Sequence, residues 1–155
     1  MLALGRALGR AASALSTSAL SASVRDAHPL VVALSGPLGA GKTALAKGVG
    51  QGLELQAEVL SPTFILMAEH PGSPPLLHAD LYRVEAGDLD NLGLEELIEQ
   101  WPGLVLVEWA ELYPQVLPAD RIEVLIGLDG EGRQVEARAH GPLAQGLLDA
   151  WWAAR

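Results

Sequence analysis

The sequence predicts an α/β layer fold on a mixed, mainly parallel sheet with an antiparallel hairpin at one margin. Three observations predict it. Two short apolar runs, "LVVALS" (30–35) and "LVLVEW" (104–109), read as strands buried on both faces. The first runs into a glycine-rich loop and then a helix-forming stretch, the order of a parallel phosphate-binding unit. The segments "RIEVLIGL" and "RQVEARAH", joined across "DGEG", alternate apolar and polar residues as the two arms of a hairpin.

Taken in order, residues 1–22 predict a helix, because Leu4, Leu8, Ala11 and Leu15 recur at helical spacing. Residues 1–25 also carry Arg6, Arg10, Arg25, five serines and no acid, which is transit-peptide composition; the domain helix is the preferred reading, since a small domain needs it. Thr43 to Gly52 follows the loop as a helix. Pro62 biases Ser61 toward extended geometry, so Phe64 to Met67 is expected as a strand. "HPGSPP" is a turn, and Leu76 to Ala79 a strand ending on Asp80. Asp88 is positioned to cap a helix reaching Gln100, with Leu92, Leu94, Leu97 and Ile98 as its apolar face. A last helix, residues 143–154, ends in Trp151 and Trp152, which are expected to pack it down. The whole chain, residues 1–155, is expected to form one domain: half of it is hydrophobic, with no repeat and no long polar linker.

Composition narrows the function. The net charge is −9, with 19 acids against 10 bases, a balance that repels a phosphodiester backbone. Tight nucleic-acid binding by this chain alone is not expected, and service to a nucleic acid would run through a more basic partner. No uncharged apolar run approaches the ~18 residues of a membrane span. The absence of cysteine excludes a disulfide framework and a thiolate zinc site. A reducing, cytoplasmic setting is the expectation.

The chain has two lysines, and both lie between residues 42 and 47. Lys42 closes the pattern Gly36-x-x-x-x-Gly41-Lys42-Thr43, the spacing of a phosphate-gripping loop. Glycines allow successive N–H groups to converge on an anion, and the dipole of the following helix points at the same spot. The expected cradle is Gly36, Leu38, Gly39, Ala40, Gly41, Lys42, Thr43 and Ala44. Lys42, expected to be exposed in the loop, supplies a mobile positive charge for the β- and γ-phosphates, and Thr43 a hydroxyl ligand for Mg²⁺. Lys47 carries no motif role and reads as a solvated helix side chain.

A Mg²⁺–nucleotide site of this kind needs a carboxylate at the end of a neighbouring strand. Glu108 and Asp80 are the candidates. Glu108 is assigned to the magnesium sphere and Asp80 to orienting the attacking water, and the two roles could be exchanged. No Asn-Lys-x-Asp loop is present to read guanine, so adenine, and hence ATP, is the expected base. His78 would share a side of its strand with Asp80, and is read as packed or surface-lying rather than catalytic.

Together, "GPLGAGKTALAKG", "SPTF", "HADLYR", "LVEW" and "RIEVLIGL" resemble, in order and spacing over roughly residues 30–140, a family of small bacterial ATPase subunits. That family serves the machinery that builds the threonylcarbamoyl group onto adenosine beside the tRNA anticodon. The opening "LALGRALG" is similar to its first helix. The resemblance implies a P-loop NTPase-like three-layer fold. It also implies slow, partner-stimulated ATP hydrolysis that supports two transferase subunits. Thr43 and Glu108 would hold magnesium, and Gly36 to Ala44 the phosphates. Ser61 to Phe64, with Thr63 as its catalytic member, would sense the γ-phosphate. Asp80 would lie close to the reacting water, and Trp109 beside the metal-binding strand end. Two positions depart from the family pattern: Pro37 replaces an Asp and has no N–H to donate, and Ala44 replaces a second Thr. One neutral hydrogen bond is worth on the order of 1 kcal/mol, so weaker nucleotide affinity is expected rather than lost function. Two rival readings are a small P-loop kinase, which would carry a clustered arginine lid not seen here, and a non-catalytic adaptor gated by ATP.

Overall fold

The computed structural model describes residues 1–17, 29–62, 64–85 and 87–155. In chain order the elements are α1 (Leu2–Thr17), β1 (Leu30–Ser35), α2 (Lys42–Gly52), β2 (Met67–His70), β3 (Leu76–Asp80), α3 (Leu89–Leu92), α4 (Leu94–Gln100), β4 (Leu104–Glu108), β5 (Arg121–Asp129), β6 (Gly132–His140) and α5 (Pro142–Ala153). Two 3₁₀ turns, Ala110–Leu112 and Pro114–Val116, follow β4.

The six strands form one sheet in the order β2-β3-β4-β1-β5-β6. β3, β4, β1 and β5 are parallel. The expected hairpin closes one edge, with β6 antiparallel to β5. β2 closes the other edge, antiparallel to β3; a strand was expected here, over Phe64 to Met67, but not this pairing. Side chains of one parity on the central strands, Val32, Leu34, Leu104, Leu106 and Ile122, pack under α1, α2 and α5; the other parity, Val31, Ala33, Leu77, Val105 and Val107, packs under α4 and the 3₁₀ turns. This is a helix–sheet–helix sandwich with a core on each face.

α1 lies on α2 at backbone contact. A Cβ on Gly48 would stand 2.3 Å from the Leu2 carbonyl oxygen, and one on Gly5 would stand 2.1 Å from that of Leu45. Only glycine permits this approach, which sets the seat of α2 and so of the loop at its start. Of the helix expected over residues 1–22, residues 18–22 lie outside the described residues. Trp151 is fully buried under α1 and donates its indole N–H to the Leu4 carbonyl at 3.0 Å. Asp120 caps α5 from a distance, accepting from the N–H groups of Leu143 at 3.0 Å and Ala144 at 2.8 Å.

Two expectations are corrected. The strand expected at Phe64 begins only at Met67, because the amides of Ile65 and Leu66 turn back onto the Pro62 carbonyl at 3.0 and 2.6 Å. Phe64 is left 84% exposed. The helix expected from Asp88 to Gln100 is two helices, broken where Gly93 takes the left-handed conformation (φ 58°), and Asp88 makes no side-chain capping bond.

Candidate functional site

The loop between β1 and α2 opens at the carboxyl ends of the parallel strands, where this class of sheet receives ligands. Gly36, Gly39 and Gly41 have φ of 137°, 76° and 110°, left-handed backbone that other residues rarely adopt. They turn the chain tightly enough for α2 to begin directly at Lys42. An open cleft of about 570 Å³ lies against this loop, walled by Leu38, Gly39 and the start of α2 on one side and by Asp80, Glu108 and Trp109 on the other. Gly36 and Ala40 belong to the loop's frame rather than to the cleft wall. The Gly36 N–H donates to Glu111 Oε1 at 3.1 Å, and Ala40 is fully buried.

β3 and β4 run in register with Asp80 opposite Glu108, so both acids end their strands side by side. Both are almost fully buried, at 3% and 2% exposure. Thr43 Oγ1 donates to Glu108 Oε2 at 3.0 Å, which joins the first turn of α2 to the end of β4. Asp80 Oδ2 accepts from Ser61 Oγ at 3.3 Å, and its Oδ1 accepts from the Tyr82 amide at 3.0 Å. Thr63, expected beside this pair, lies outside the described residues.

Lys42 departs from expectation: it is 5% exposed, not free in solvent. Its ammonium donates to the carbonyls of Gly36 and, at 3.1 Å, Pro37, and lies 3.6 Å from the centre of the Trp109 ring. Desolvation pulls its pKa below the ordinary lysine value, against the opposing pull of Glu111, Glu108 and Asp80. The Pro37 carbonyl also accepts from the Ala40 amide at 3.1 Å, so the residue that lacks an N–H still organises the loop through its oxygen. Lys47, as read, stands apart from the cleft, partly exposed and 3.3 Å from Glu58.

Sequence reasoning gave no site role to three contributors. His78 is fully buried, with Nε2 2.8 Å from Glu108 Oε1; it is packed, as expected, but packed onto the key carboxylate. Its place two residues before Asp80 was the available signal. Tyr82 stacks on Trp109 with ring centres 4.6 Å apart. Arg133, ninety residues from the loop, donates to the carbonyls of Ala40 at 3.0 Å and Gly39 at 3.2 Å, and no local pattern announces it. Chemically, the arrangement offers backbone donors and the cations Lys42 and Arg83 to an anion, with a hydroxyl–carboxylate pair beside them.

Comparison with known proteins agrees. Residues 2–135 match the family described as Threonylcarbamoyl adenosine biosynthesis protein TsaE. A tRNA threonylcarbamoyladenosine biosynthesis protein TsaE from Nostoc sp. is 46% identical over 111 residues, covering 68% of this chain and 68% of the relative. Its namesake from Bacillus subtilis is 42% identical over 102 residues, covering 65% of this chain and 63% of the relative. Among solved structures, Bacillus subtilis YdiB superposes with a TM-score of 0.71 at 28% identity, covering 96% of this chain and 87% of that one. With the family match spanning most of its length and the nucleotide-loop fold beneath it, the chain belongs to the TsaE family of threonylcarbamoyl adenosine biosynthesis proteins.

Proposed function

We propose that this chain is the ATP-binding and slowly hydrolysing subunit required for threonylcarbamoyl modification of the tRNA adenosine beside the anticodon, acting in the cytoplasm on a two-protein transferase complex. One observation carries the reading: the Thr43 hydroxyl, Glu108 and Asp80 converge at the mouth of the glycine loop. Within the Gly36 to Ala44 cradle, the amides on the cleft side bind the phosphates, while those of Gly36 and Ala40 hold the loop's frame. Lys42 leaves its own loop's carbonyls to follow the β- and γ-phosphates, an exchange of neutral acceptors for anionic ones that strengthens each hydrogen bond.

The donor set suits magnesium. Mg²⁺ takes one or two carboxylates together with substrate phosphate oxygens, so a Thr–Glu pair is sufficient protein ligation. Thr43 and Glu108 would hold the ion, which when bound neutralises charge on the β- and γ-phosphates. His78 fixes the rotamer of Glu108. Asp80 orients the attacking water, with Ser61 to Phe64 as the segment that senses the γ-phosphate.

The test is single-turnover ATP hydrolysis with and without the two transferase subunits, for the parent chain and Lys42→Ala. Stimulated hydrolysis that is lost in the variant is expected. A Lys42→Ala chain hydrolysing at the parental rate in the complex refutes the assigned role. ATP-dependent assembly without any product would identify a gated adaptor instead.

A further inference from the structure

The Arg133 guanidinium bridges two loops. On one edge it donates to the carbonyls of Gly132 at 2.7 Å and Glu131 at 3.4 Å, in the β5–β6 turn. On the other it donates to the carbonyls of Gly39 and Ala40, in the middle of the phosphate loop. All four acceptors are backbone oxygens, and arginine is the side chain with enough donors in a rigid fork to serve them together.

We propose that Arg133 is a positioning residue for nucleotide binding, holding the loop's peptide planes in the orientation that receives phosphate. The proposal rests on the reading of Gly36 to Ala44 as the phosphate cradle. A trans peptide sets its N–H opposite its C=O. With the Ala40 carbonyl drawn to the guanidinium, the Gly41 N–H on the far edge of the same plane is turned away from Arg133. The Gly39–Ala40 plane is pinned at both ends, its carbonyl by Arg133 and its N–H by the Pro37 oxygen at 3.1 Å. Glycines on both sides of Ala40 leave these planes free to rotate, so an external fork is what holds them. The arginine itself is exposed and outside the core, so its removal spares the fold.

The experiment measures Mg-ATP and Mg-ADP affinity by calorimetry for the parent, Arg133→Ala and Arg133→Lys, with melting temperature in parallel. Arg133→Ala is expected to weaken both nucleotides about tenfold, the worth of one charge-assisted hydrogen bond, at an almost unchanged melting temperature. Arg133→Lys, which keeps the charge and loses the fork, is expected to recover only part of the affinity. Methylguanidinium added to the Ala variant is expected to restore binding. Affinity of Arg133→Ala within about twofold of the parent overturns the proposal, as does a Lys variant equal to the parent or a loss that tracks lost thermal stability. A parent chain that binds no adenine nucleotide removes the cradle reading, and the proposal with it; a parent that binds beside an unaffected Ala variant removes the proposal alone.

Discussion

The carboxylates of Asp80 and Glu108 sit in adjacent strands at the same register position, yet their partners differ. Glu108 faces a hydroxyl and an imidazole, Thr43 and His78, while Asp80 faces Ser61 and a backbone amide. A carboxylate paired with the loop's own threonine is the one suited to magnesium. The isosteric changes Glu108→Gln and Asp80→Asn preserve most of these hydrogen bonds, so neither leaves a buried donor stranded at ~1–3 kcal/mol. Glu108→Gln is expected to raise the magnesium concentration for half-maximal hydrolysis more than Asp80→Asn does, with Asp80→Asn acting mainly on the rate. A magnesium titration of the two variants decides the matter, and the reverse order would exchange the two labels. The identities of both acids were legible from their place at the ends of apolar runs. The burial of Lys42 was not, because the carbonyls and the Trp109 ring that cover it come together only when the loop closes.

α1 and α2 show how an element's sequence can be read correctly and its energetics still be misjudged. The glycines of α2 lower its helix propensity, by up to ~1 kcal/mol each relative to alanine. Propensity alone would thus have Gly48→Ala stabilise the protein. The neighbouring backbone reverses the sign, since the new Cβ would meet the Leu2 oxygen at 2.3 Å. Gly48→Ala is expected to cost about 2 kcal/mol through displacement of α1. Gly146→Ala in α5, where nothing lies within 4 Å, is expected to stabilise by about 0.5–1 kcal/mol. Urea denaturation of the two variants checks both signs, and a stabilised Gly48→Ala would mean that α1 does not rest on α2 in this way. The true start of β2 and the break at Gly93 escaped the sequence reading for a related reason. Pairing on β3 decides where β2 begins, and a glycine inside an apolar helical pattern does not declare whether it will be left-handed.

At the scale of the whole molecule, charge and architecture point the same way. A net charge of −9 on a chain whose cleft is lined partly by acids opposes a polyanion. The isolated chain is expected to bind tRNA more weakly than about 10 µM at 0.15 M salt, as filter binding would show, and nanomolar binding would overturn the view that transferase subunits carry the tRNA. No helix among the described residues is long and apolar enough to cross a membrane.

What the sequence determined by itself is what depends on neighbours in the chain: the strand–loop–helix unit, the hairpin, the glycines, Lys42 and Thr43, and acids after buried strands. Those features arise from local geometry and the periodicity of apolar residues, which a linear reading captures. Tertiary structure alone decided that Asp80 and Glu108 stand in register, that His78 braces Glu108, that Lys42 is covered, and that Arg133 reaches the loop from the far hairpin. Each is a contact between segments distant in the chain, selected by sheet order and packing, and no spacing along the sequence encodes them.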